Sequence, residues 1–189
     1  PASITDMLKK LKNKKLLDYQ PYYGFKLTNE GNKIALGVIR RHRIWEYFLA
    51  EKLQFNLHEI HELAEVLEHV SSKKLIDKLD AYLGLPKFDP HGDPIPTRTG
   101  KMAKVNGVEL PLLAVNTIGR ITHIEDEPEV IYKQILAENI HIGSFIRVTE
   151  NNATRIVFES EGEEFKLAPI VAANLTVAPI EKEVVLEDN

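Results

Sequence analysis

The sequence predicts an α+β chain of several parts, with helices first and a small β-barrel last. Three observations carry this expectation. Apolar residues recur at helical spacing through residues 3–83, and a stretch holding Pro86, Pro90, Pro94 and Pro96 follows. From about Val108 the pattern changes to short strand-like runs separated by turn signals.

Ile4, Met7, Leu8 and Leu11 share one face of a helix over 3–13, with lysines opposite and Ser3 as a candidate cap. Leu16–Tyr19 and Phe25–Leu27 read as strands, and Gln20-Pro21-Tyr22-Tyr23-Gly24 supplies the hairpin turn. Thr28 is a good N-cap for a long helix to about Lys52, with an expected stripe of Ile34, Val38, Trp45, Phe48 and Leu49. Two further helices are expected, over Leu57–His69 and from Ser72 to Leu83; Ser71 or Ser72 starts the second and Gly84 stops it. Beyond the Pro-rich arm, runs at 119–124, 145–148, 155–158 and 175–177 read as strands, with a short helix at 130–137. Several short strands in so few residues predict a small barrel.

No apolar run approaches the roughly 20 residues that a spanning helix requires, so an integral membrane protein is not expected. The chain has no cysteine, which excludes disulfides, thiolate metal sites and thiol nucleophiles and fits a cytoplasmic location. The net charge of -4 hides an asymmetry. Residues 1–45 hold ten Lys/Arg against three acids, whereas the remainder holds 14 against 25. A basic front on an acidic body points to a polyanion met by the front alone, although a solvated lysine face gives the same signature.

The residues with chemistry lie on the middle helices. His61, Glu65, Glu68 and His69 fall at offsets 0, 4, 7 and 8, within an arc of roughly 100° at about 100° per residue. His42 and Glu46 share a face of the preceding helix, and a short connection would bring the two faces together. Imidazole and carboxylate donors suit a borderline or hard divalent ion. A single His–Glu pair at this spacing is otherwise an ordinary surface contact. No HExxH, phosphate-loop, dinucleotide or nucleophile-elbow motif occurs, so an enzyme is not expected. A metalloenzyme using the His/Glu face, or a dimerising adaptor without metal, are the alternative readings.

Taken in order, these residues resemble the diphtheria toxin repressor and manganese transport regulator family of metal-dependent repressors. The matching text is Pro1-Ala-Ser-Ile-Thr-Asp-Met-Leu-Lys-Lys-Leu11, Leu27-Thr-x-x-Gly31 and Arg40-Arg-His-Arg43. It continues with His61-x-x-x-Glu65-x-x-Glu68-His69-x-Ser71 and Pro90-His-Gly-Asp-Pro-Ile-Pro96. The resemblance implies a partial winged helix-turn-helix (recognition helix and wing) over 1–31 and a dimerisation and metal-binding domain over 32–85. A Pro-rich linker at 86–107 and an SH3-like domain at 108–189 would follow. It also implies that the chain begins inside the winged helix-turn-helix, without the family's first helices and the ligand they supply.

By position, Glu65, Glu68 and His69 match ligands of the family's activating site, and His42, Glu46 and His61 match its ancillary site. In the manganese branch His42 could instead join a binuclear centre. Glu127, with Asp126 and Glu129 nearby, is the expected oxygen ligand from the C-terminal domain. Glu65 stands where the iron-responding branch carries cysteine, which favours Mn2+ with Fe2+ as the alternative. The implied function is metal-dependent repression of transcription. A homodimer would bind a palindromic double-stranded DNA operator through Ala2, Ser3, Thr5, Asp6 and Lys9, with lysines on phosphates.

Overall fold

The computed structural model describes residues 3–20 and 22–180. Ala2, expected at the DNA, and Pro21, expected in the hairpin turn, lie outside the described residues. The chain forms two compact units: Pro1–Asp89 with Ile95–Ala103, and Pro90–Pro94 with Lys104–Asn189.

In the first unit, helix α1 (Ile4–Asn13) leads into a hairpin of β1 (Leu17–Gln20) and β2 (Gly24–Leu27), paired antiparallel with Leu17 opposite Leu27. Ser3 caps α1 in a capping box with Asp6, satisfying end donors reciprocally. No residue of α1 is fully buried: Ile4 is 76% and Met7 55% exposed, while Leu8 and Leu11 are half-buried where the helix meets β1.

Helix α2 (Asn29–Leu53) starts where the sequence predicts, with the Thr28 hydroxyl accepting from Gly31 N–H at 3.0 Å. The Thr28 N–H donates to the Leu16 carbonyl at 3.0 Å, and Gly31 packs directly on that carbonyl, so the Thr-x-x-Gly spacing ties the hairpin base to the helix. The expected stripe on α2 needs correcting. Ile34 is 48% exposed, and the buried side chains include Ile44, Leu49, Arg40 and Glu46. Arg40 is buried because partners await it: Asp80 at 2.8 Å, Asp77 at 3.2 Å and the Pro96 carbonyl at 3.4 Å.

After Gln54 in the left-handed region and the Asn56 cap, helix α3 (Leu57–Val70) runs back along α2, packing Ile60 and Ala64 on Leu49. Helix α4 (Lys73–Tyr82) is capped by Ser72 and buries Ile76 against Ile44. The third member of that cluster is Ile95, from the proline-rich stretch. That stretch is therefore part of a core.

The second unit is a six-stranded antiparallel sheet in the order β3-β8-β4-β5-β6-β7. Its strands are β3 (Val108–Glu109), β4 (Ile118–Ile124), β5 (Phe145–Asn151), β6 (Ile156–Ser160), β7 (Glu163–Leu167) and β8 (Leu175–Pro179). Helix α5 (Glu129–Ala137) buries Tyr132 and Ile135, and a short α6 (Pro169–Ala172) precedes β8. Alternation sets the core: in β5, Ile146 and Val148 are buried while Phe145 and Arg147 are exposed. Register shifts in β4 and β5 supply the bends that curve such a sheet. Residues 90–94 belong to this unit, with the His91 carbonyl accepting from Ile124 N–H at 3.0 Å and the His91 ring 2.9 Å from the Tyr132 hydroxyl. Gly92 has φ +86° and lies too close to the Thr122 carbonyl for any side chain. The chain is thus α+β, with a C-terminal SH3-like antiparallel sheet.

Candidate metal centre

The α2–α3 hairpin places side chains from four turns of helix around one point. His42 and Glu46, one turn apart on α2, meet through Nε2 and Oε1 at 2.9 Å. His61 of α3 approaches both: its Nδ1 is 3.3 Å from His42 Nε2 and 3.4 Å from Glu46 Oε1. The two imidazoles meet edge to face with centroids 4.8 Å apart. The other ring nitrogen of His42, Nδ1, is 3.1 Å from Glu68 Oε2. Both carboxylates are nearly out of solvent, at 2% exposure for Glu46 and 8% for Glu68.

Packing below the cluster fixes α3 on α2. The Trp45 indole N–H donates to the Ser71 hydroxyl at 2.7 Å, which donates to the Leu67 carbonyl at 2.6 Å. Ser71 therefore closes the end of α3, while Ser72 caps α4.

Electrostatics favour a cation here. Burial disfavours charge on His42. Hydrogen bonding and charge from Glu46, and then the charge of Glu68, outweigh it and hold the imidazole above its ordinary value of 6.5. Within 4.8 Å, His42, Glu46 and His61 offer two nitrogens and an oxygen, an imidazole and carboxylate set that fits a divalent metal ion.

The remaining expected ligands stand elsewhere. His69 is exposed and its Nε2 lies 4.0 Å from Glu68 Oε1; Glu65 is exposed one turn before it. These two flank Glu68 at the end of α3 without joining the compact cluster. Glu127 is exposed and Asp126 half-buried in the second unit. On α1, Thr5 and Lys9 are exposed, whereas the Ser3 and Asp6 side chains engage each other at 2.9 Å. Sequence reading named Arg40 only within its motif. Its buried pairing with Asp77 and Asp80 joins positions 37 and 40 residues apart, which no local pattern reveals.

A family profile described as iron dependent repressor, metal binding and dimerisation domain matches residues 28–97, which contain this whole cluster. A solved manganese-dependent transcriptional repressor, in complex with manganese, is similar over 93% of this chain and 83% of its own, with TM-score 0.85 and 30% identity. The chain belongs to the family of metal-dependent transcriptional repressors. Within the family, the diphtheria toxin repressor of Corynebacterium glutamicum is 25% identical over 191 residues, covering 95% of this chain and 82% of that protein. A probable metal transport system membrane protein of Chlamydia trachomatis is 43% identical over 75 residues, and the chain spans only 17% of its length. Among the described residues, no helix is long and apolar enough to cross a membrane.

Proposed function

We propose that this chain is a cytoplasmic, Mn2+-responsive repressor of metal-homeostasis genes that binds a palindromic operator as a homodimer, with Fe2+ as the alternative ion. The observation that carries the reading is the convergence of His42, Glu46, His61 and Glu68 at the α2–α3 contact in a chain of this family. His42, Glu46 and His61 are assigned to one site. Glu65, Glu68 and His69 are assigned to the activating site. A bound ion would supply two positive charges beside the nearly buried Glu46 and Glu68 carboxylates.

The chain's own residues do the rest. His42 faces Glu46 with one nitrogen and Glu68 with the other, so the two sites share an imidazole and its protonation. Ser71 and Trp45 hold the helices that present the ligands. Gly31 and Thr28 join α2 to the hairpin, which joins α1, giving a continuous covalent and packed route from the cluster to the basic front. On α1, the exposed Thr5 and Lys9 are assigned to bases and phosphates together with Ser3 and Asp6, which also set the start of the helix. Glu68→Ala is the test. It should abolish Mn2+-dependent operator retention in a gel-shift assay while the variant remains a folded dimer by sedimentation. Normal Mn2+-dependent retention by this variant would refute the site assignment.

A further inference from the structure

Away from the His/Glu cluster, the first half of α2, the start of α4 and the turn at 97–100 enclose a cleft of about 540 Å3. That volume lies within the range of pockets for small organic ligands. Five cationic side chains line it: Lys33, Arg40, Arg41, Lys73 and Arg98. The single acid on its wall, Asp77, already receives Arg40, Lys73 and Arg98, each at 3.2 Å, and Arg40 is further neutralised by Asp80. Asp77 thus fixes three cations without matching the charge of the cleft.

Two observations accompany this surplus. Among the described residues, Lys33 and Arg41 have no ion-pair partner, and the Arg41 Nε–H is buried with no acceptor. A buried donor left unpaired is costly and rare in folded proteins. The second observation is Gly37, midway between Lys33 and Arg41 on the same helical face. Glycine inside a helix is unfavourable relative to alanine. Yet a Cβ at Gly37 would meet nothing closer than Arg41 Nη1, at 4.0 Å. Packing does not require the glycine; what it leaves open is the floor of the cleft.

We propose that this cleft binds a small phosphorylated molecule. A guanidinium fork matches phosphate oxygens two at a time, and Lys33 supplies a second point charge one side of Gly37. Thr97 and Thr99, whose hydroxyls lie 3.1 Å apart, offer further donors, and Leu36 with Ile76 gives an apolar floor for an organic body. The assignment is independent of the metal site, although Arg41 immediately precedes His42 in the chain.

The test is calorimetry on the whole chain in EDTA, at fixed ionic strength, with ADP, pyrophosphate and inorganic phosphate as separate probes. One ADP should bind per chain. Arg41→Gln and Lys33→Gln should each weaken it about tenfold, the effect of losing one charge-assisted contact. Lys9→Gln, on α1, should change nothing. In a 15N spectrum the Arg41 Nε–H should shift on ADP addition. Equal ADP affinity in the Arg41 and Lys33 variants would overturn the proposal. So would binding that follows ionic strength alone, or protection of the Arg41 signal by duplex DNA but by none of the three probes. EDTA keeps the result separate from that of the metal reading, since Glu68→Ala should bind ADP like the parent chain.

Discussion

Gly31→Ala separates two opposed physical expectations. On helix propensity alone, alanine should stabilise α2 by up to about 1 kcal/mol. The new Cβ, however, falls on the Leu16 carbonyl, whose oxygen also accepts the Thr28 N–H at 3.0 Å. To make room, the hairpin base must move off α2 and that hydrogen bond must lengthen. Overpacking against backbone costs roughly 1–3 kcal/mol, and a lost hydrogen bond adds about 1 kcal/mol. The Thr28 hydroxyl cap on the residue-31 N–H survives, because alanine keeps that donor. The net expectation is a loss of about 1–3 kcal/mol after the propensity gain is subtracted. Urea unfolding followed by circular dichroism measures it, and hydrogen exchange should show the β1–β2 amides opening first. A neutral or stabilised Gly31→Ala variant would refute the argument that this contact couples the hairpin to α2.

Other outcomes follow from the same geometry. Ile95→Ala opens a cavity beside Ile44 and Ile76 and should cost about 2–5 kcal/mol by urea unfolding, an outcome that a merely connecting arm would not give. Ser71→Ala strands the Trp45 indole N–H and should cost about 1–3 kcal/mol by the same measurement. The raised pKa of His42 gives a pH dependence of definite sign. In metal-free protein its imidazolium stabilises the fold fully below the ordinary value of 6.5 and loses that contribution as pH rises through the higher folded-state value. Thermal unfolding in EDTA should therefore show a falling contribution over that window, absent in His42→Ala. Mn2+ affinity should move the opposite way, rising as the proton leaves.

Much of this was legible in the sequence, and particular residues show why. Thr28 announced the start of α2 because a cap is a local event, and the 20–24 segment announced the hairpin for the same reason. The His/Glu face was visible because helix geometry fixes which side chains share it. Which of them meet was not visible: His42 to Glu68 spans 26 residues and depends on how α3 settles on α2. The burial of Arg40 and Glu46 escaped a search for apolar stripes because charge is buried only where distant partners match it. Strand β7 was hidden by its composition, since Glu163, Glu164 and Lys166 face solvent and only Leu167 is buried. Ile95 was masked by flanking prolines that read as an arm.

The proposed function stands or falls on divalent metal bound at the α2–α3 contact, in the two sites assigned there. Anomalous diffraction from crystals soaked in Mn2+, collected on both sides of the manganese edge, tests it most directly. Manganese density is expected beside His42, Glu46 and His61 and at the activating set of Glu65, Glu68 and His69. Density confined to other parts of the molecule, with both sets empty at saturating Mn2+, would contradict it.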